Sequence, residues 1–133
     1  MVTTLVRAEN EIDAWELTHR QVNARLREAV AEGAEHIILN RIFGQRYIGT
    51  DLNRPVDIDI NGTPGGDLGS FMRGPRIKVY GNAQDGTGNT MDDGEIVIYG
   101  HAGDLAGHSA RGGKIFVRDY VGYRAGIHMK EYG

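Results

Sequence analysis

Asp85, His101, Asp104, His108 and His128 are the side chains whose types could ligate a metal ion. A zinc site needs such groups converging on one tetrahedral point, as when two histidines share a helical face. Here the intervals of 3 and 4 residues between His101, Asp104 and His108 fall in glycine-rich sequence, not in a helical pattern. His108 and His128 also occupy different columns of the repeat described below. Asp85, or the Asp92-Asp93 pair, resembles a calcium turn only in its acidity, because the nine-residue Gly-Gly-x-Gly-x-Asp repeat is missing. Ser109, His108 and Asp104 contain the groups of a nucleophilic triad, but no Gly-x-Ser-x-Gly elbow presents the serine. The loops "GTG" (86–88) and "GTPGGDLG" (62–69) have phosphate-cradling composition. Neither precedes a helix whose N-terminus would face the phosphate. The reading that survives is solvated turn residues and corner glycines, with no catalytic, cofactor-binding or metal-binding residue expected in this chain.

Composition narrows the field further. The chain has 133 residues with a net charge of -3 and no Lys/Arg stripe, so nucleic acid is not an expected partner. Zero cysteines exclude disulfides, thiolate zinc sites, cysteine-ligated iron–sulfur clusters and cysteine nucleophiles within it. No signal peptide is read, and no apolar run approaches the roughly 20 residues that a membrane span needs. A cytoplasmic location is the expectation. Glycine, at 20 residues, is about twice as frequent as usual, while proline is limited to 3.

That glycine is periodic. Gly69, Gly88, Gly107 and Gly126 recur every 19 residues, as do Ile58, Ile77, Ile96 and Ile115, and Ile60, Val79, Ile98 and Val117. Gly81 with Gly100, and Gly103 with Gly122, keep the same interval. A fixed period near 20 marks one structural unit stacked on the next. Each unit holds a strand such as Glu95 to Tyr99, a glycine corner, a short segment with Ala83, Ala102 or Val121, a second corner, and the column Met72, Met91, Ala110, Met129. Aliphatics stacked in every coil and glycine at every corner are what a β-solenoid needs. A left-handed hexapeptide helix is disfavoured, since 19 is not a multiple of six. The fold class is therefore mainly β: a right-handed parallel β-helix over 57–133, behind a short α/β cap over 1–56.

In the cap, Thr18 and Gln21 form a capping box, with Leu17 and Val22 as a hydrophobic staple. Val22, Leu26, Ala29 and Val30 share one face, and Gly33 is a natural stop. These signals predict a helix over 19–32. "HIIL" at 36–39 predicts a strand, with weaker extended segments at Leu5-Val6 and from Glu11 to Trp15.

Strand alternation points a second set of side chains outward: Asp59, Lys78, Val97, Phe116, and Asn61, Tyr80, Tyr99, Arg118. Tyr80, Val97, Tyr99 and Phe116 make this face apolar toward the C-terminal coils, a patch of the kind monomers cover. Two occupants are open: the N-terminal helix, or another subunit using the aromatics as anchors.

The corners followed by Gly-x-Ile-x-Val, as in "AGDLAGHSARGGKIFV" (102–117), resemble the GXGXG domain. The lead-in "LTHRQVNARLREAVAEGAEHIILN" (17–40) and "GQRYIG" (44–49) are similar to the segment before the repeats in small stand-alone members. The family includes the C-terminal β-helix of the glutamate synthase large subunit and the GXGXG-bearing subunit of formylmethanofuran dehydrogenase. The resemblance implies a non-catalytic subunit or domain of a glutamate-synthase-like amidotransferase/oxidoreductase assembly. Its partners would be a glutaminase and a synthase carrying flavin and iron–sulfur clusters, or further copies of the chain itself. The alternatives are an independent hydrolase or sugar-acting β-helix enzyme, or a formylmethanofuran dehydrogenase-type subunit with molybdenum or tungsten partners. Family members usually run to more coils, and here the next strand column would begin just past Gly133. Truncation, or an end covered by another subunit, is the expectation.

Overall fold

The structure, a computed structural model, describes residues 9–101 and 112–117. Its strands are β1 (Glu9–Asp13), β2 (His36–Phe43), β3 (Asp57–Thr63), β4 (Arg76–Tyr80), β5 (Glu95–Ile98) and β6 (Lys114–Val117), with helix α1 (His19–Ala31) between β1 and β2. All of the strands form a 6-stranded sheet in chain order, and every neighbour is parallel. Parallel neighbours need a return path. From β2 onward, turns and short extended segments supply it, so each circuit of the chain lays one strand on the last. The fold is the parallel β-helix that the 19-residue repeat implies.

The repeat columns are the sheet register. Ile58, Ile77, Ile96 and Ile115 lie opposite one another, as do Ile60, Val79, Ile98 and Val117. All but Val117 are buried, and Val117 packs against the same core. Fully burying an aliphatic side chain is worth about 1.5–3 kcal/mol, so these columns dominate the stability of coils that otherwise consist of turns. Opposite the strands, Ile48 with Leu52, Leu68 with Met72, and Met91 close the core. Ala83 is buried as well, whereas Ala102, Ala110, Val121 and Met129 lie outside the described residues.

The same sheet continues toward the N-terminus. Ile37 and Leu39 lie opposite Ile58 and Ile60, and Ile12 opposite Leu39. The sheet therefore crosses residue 57 without a break. β2 is longer than "HIIL" because a bulge absorbs a residue: the register shifts between Leu39 and Ile42, and Arg41 takes φ 59°. The bulge turns Ile42 into the core and leaves both Arg41 and Phe43 outside.

α1 forms where its caps dictate. Thr18 accepts from the Gln21 amide at 3.2 Å, and the Gln21 side chain accepts from the Thr18 amide at 2.8 Å. At the other end, Gly33 at φ 95° donates to the Val30 carbonyl and Ala34 to the Ala29 carbonyl, a Schellman closure. The helix ends at Ala31, with Glu32 as its C-cap. Its buried face is Val22, Leu26, Ala29 and Val30, together with Asn23. Asn23 spans to the next coil: its Nδ2 donates to the Arg46 carbonyl at 3.3 Å and its Oδ1 accepts from the Gly49 amide at 3.2 Å. Among the described residues, no helix is long and apolar enough to cross a membrane.

Three successive described coils turn through a corner built on alternate residues with positive φ. The triplets are Tyr47, Gly49, Asp51; Asp67, Gly69, Phe71; and Gly86, Gly88, Thr90. The central residue is glycine every time, for two reasons. Its φ lies between 68° and 81°. A Cβ there would also press on the isoleucine of a later strand: 3.1 Å from Ile77 Cδ1 for Gly49, 3.0 Å from Ile96 Cδ1 for Gly69, and 2.6 Å from Ile115 Cδ1 for Gly88. The flanking positions admit side chains at a cost in backbone strain.

Candidate interaction surface

Alternation along the strands leaves three columns on the outer face. The first runs His36, Asp57, Arg76, Glu95, Lys114; the second Glu11, Ile38, Asp59, Lys78, Val97, Phe116; the third Asp13, Asn40, Asn61, Tyr80. Tyr99 continues the third column, its amide donating to the Val79 carbonyl at 3.0 Å. The coil spacing that stacks isoleucines inside also stacks polar and aromatic groups outside.

The N-terminal half of this face is polar and internally paired. His36 Nε2 lies 2.8 Å from Asp59 Oδ2. Arg76 makes a bidentate contact with Asp57, at 2.9 and 3.3 Å. Asn61 donates to Asn40 at 2.8 Å, and Asn40 to Glu11 at 3.4 Å. Asp13 receives two bonds from the Arg41 guanidinium, through Nε at 2.9 Å and through Nη2, and one from the Trp15 amide at 3.0 Å. The Arg41 bonds, then the Trp15 bond, hold the Asp13 carboxyl below its ordinary range, and Asp13 raises Arg41 in turn. Arg41 also lies over the Trp15 ring, 5.0 Å from its centroid.

The C-terminal half is aromatic. The rings of Tyr80 and Tyr99 stack with centroids 5.0 Å apart and planes 5° from parallel. Val97 is half-buried beside them, and Tyr80 and Phe116 are 47% and 48% exposed. α1 engages the coil around Arg46, Gly49 and Arg54 instead. Of the two occupants open from the sequence, the helix is therefore not the one that covers this face: its buried stripe is spent on capping the core of the first coil. Trp15 and Phe43, which strand alternation in the repeats does not single out, are also exposed on the outside. The signal that could have found Phe43 lies in "HIILNRIF", where the alternation slips at Arg41.

Other candidate residues lie apart from this face. Asp85 lines an open groove of about 720 Å³ with Arg46, Gly66, Asp67, Gln84, Gly86 and Asn89, at the corners rather than on the sheet. His101 is exposed, its amide bonded to Asn82 Oδ1 at 2.8 Å. Among the described residues, no group of His, Asp and Glu is placed to hold a metal ion. Gly69 and Gly88 are corner centres, and Gly81 and Gly100 follow their strands. Gly103, Asp104, Gly107, His108, Ser109, Gly122, Gly126 and His128 lie outside the described residues. The loops at 62–69 and 86–88 come after α1 and, among the described residues, precede no helix.

An uncharacterized protein of Methanocaldococcus jannaschii is 55% identical over 124 residues, covering 91% of this chain and 48% of that protein. The chain thus spans about half the length of the curated relative it matches. No solved structure matches it. The family model described as the GXGXG motif matches residues 14–132. In this chain the corner at Gly86, Gly88 and Thr90 reads Gly-x-Gly-x-Thr, with all three residues at positive φ. The chain belongs to the GXGXG motif family.

Proposed function

We propose that this chain is a structural and interaction module of a glutamate-synthase-like amidotransferase/oxidoreductase assembly. In this reading the chain performs no chemistry alone. A glutaminase partner would release ammonia, and a partner carrying flavin and iron–sulfur clusters would supply the electrons. The observation that carries the proposal is the outer face. A rigid solenoid presents Tyr80, Tyr99, Val97 and Phe116 as one aromatic patch, with its own helix packed elsewhere. Exposed aromatics on a fixed frame suit anchoring to another subunit, because little side-chain freedom is lost on docking. Family membership supports the type of assembly. The proposal includes a cytoplasmic site of action.

Affinity purification of the tagged full chain from its native host, with identification of the proteins retained, tests this. Recovery of a glutaminase together with a flavin/iron–sulfur protein is the expected result. Recovery of molybdenum or tungsten subunits would move the chain to a formylmethanofuran dehydrogenase-type assembly. A chain that returns alone, as a defined oligomer, would sink the module reading and direct attention to hydrolase and polysaccharide substrates.

A further inference from the structure

Resting on the docking role proposed above, we infer the chemistry of the segment this face receives. It is an acidic, apolar stretch of a partner protein, with aliphatic or aromatic side chains seated on Val97 and Phe116 and carboxylates set against Lys78 and Lys114.

The register fixes the layout. Lys78, Val97 and Phe116 follow one another in a single outward column. Arg76, Glu95 and Lys114 form the column on one side, and the stacked Tyr80 and Tyr99 border the other. The aromatic centre is therefore flanked by two lysines, in β4 and β6, roughly 12 Å apart on the diagonal of two strand spacings and two residues. Both lysines are exposed. Among the described residues neither makes an ion pair, whereas Arg76 is held by Asp57 and His36 by Asp59. Asp59, the acid beside Lys78 in the register, is turned to His36 instead. Beside Val97 and Phe116 this leaves Lys78 and Lys114 without a bonded carboxylate, with Glu95 between their strands and Asp59, which keeps its charge, one strand beyond Lys78.

The chain carries a net charge of -3, yet both lysines among the described residues, Lys78 and Lys114, border this patch. A partner segment that was merely apolar would leave both ammonium groups unpaired. Carboxylates flanking apolar anchors complement them. Rim charges of this kind speed association and set its salt dependence more than they add to tight binding. The aromatics supply the anchoring.

The test uses the full chain and a soluble synthetic peptide carrying Leu and Phe between glutamates, compared with the same peptide carrying lysines in their place. The expected result is binding of the acidic peptide alone, weakened by salt, with amide shifts at Tyr80, Val97 and Phe116. Phe116→Ser should abolish it, and Lys78→Glu with Lys114→Glu should weaken it about tenfold or more. Tyr80→Ser replaces Phe116→Ser if the latter unfolds. The same variants, tagged in the native host, separate two failures. If Phe116→Ser loses the retained proteins and the lysine reversal keeps them, the face docks but its acidic preference is overturned. If neither variant changes what is retained, the docking reading falls too. Equal binding of the two peptides overturns the inference directly.

Discussion

Gly81 sits against the Gly62 carbonyl of the preceding coil so closely that a Cβ on Gly81 would stand 2.3 Å from that oxygen. Gly100 repeats the contact one coil later, where a Cβ would stand 2.6 Å from the Gly81 carbonyl oxygen. The obstacle is backbone, which cannot swing aside as a side-chain tip can. Gly81→Ala should therefore force adjacent coils apart and cost more than the roughly 1 kcal/mol typical of point substitutions. Urea unfolding of the variant measures this. A midpoint equal to that of the parent would show that the coils separate freely at this column.

At the glycine corners the expected sign reverses. Thr90 holds φ 55°, a conformation that is strained for a β-branched residue. Its hydroxyl donates to Asn89 Oδ1 at 3.2 Å, a contact with its own chain neighbour that does little to offset the strain. Thr90→Gly completes Gly-x-Gly-x-Gly at 86, 88 and 90 and should stabilise the chain by about 1 kcal/mol, the lower end of the left-handed penalty. Thermal melts of both proteins decide it, and a lower melting temperature in the variant would mean the corner is not strained.

Asn23 is a buried polar residue that joins α1 to the second coil through Arg46 and Gly49. Asn23→Leu keeps the branched heavy-atom shape but leaves the Gly49 amide without its partner. A loss of about 1–3 kcal/mol is expected, the cost of an unsatisfied buried group. Hydrogen exchange should show faster opening of α1 with β6 unchanged, since repeat arrays interact coil to neighbouring coil.

How much of this was legible in the sequence depends on the spacing. The columns from Ile58 to Ile115 keep one interval, so the register of β3 to β6 could be written down without coordinates. Ile37 and Leu39 belong to the same columns, but a longer circuit before Ile58, and the Arg41 bulge, break the period and hide them. Capping chemistry at Thr18 and Gln21 is local, and α1 was readable for that reason. The destination of its buried stripe was not. It depends on Asn23 meeting Arg46 and Gly49 across the fold, which no periodicity encodes. The outward direction of Tyr80 and Phe116 follows from alternation, while the ring stacking of Tyr80 on Tyr99 emerges only from the coil spacing.

Asp13 gives a pH-dependent prediction. Its folded pKa lies below the ordinary value of 3.8, chiefly through Arg41. A depressed carboxylate contributes stability above its unfolded pKa and loses it as pH falls through the folded one. Asp13→Asn should therefore be less stable than the parent at neutral pH, and the difference should vanish below the ordinary carboxylate range. Because the pair is exposed, added salt should shrink the neutral-pH difference as well. A gap that persists unchanged in acid would assign the loss to the Trp15 turn rather than to the charge.

The alternating column His36, Asp57, Arg76, Glu95, Lys114 yields the last prediction. From Asp57 to Lys114, successive side chains in the column carry opposite charge. Coils this similar are at risk of pairing with the wrong neighbour, and the alternation opposes it. Skipping one coil would bring Asp57 against Glu95, or Arg76 against Lys114. Arg76→Glu removes the protection and sets three carboxylates in register. Like charges directly opposite cost up to about 1 kcal/mol per pair, so a loss of about 1–2 kcal/mol is expected, with more aggregate on refolding. Arg76→Gln separates the two contributions: it loses the Asp57 contact but adds no repulsion, and should fall between parent and Arg76→Glu in stability and in refolding yield. If Gln and Glu behave alike, the Asp57 contact alone matters and the alternation plays no part in keeping the coils in order.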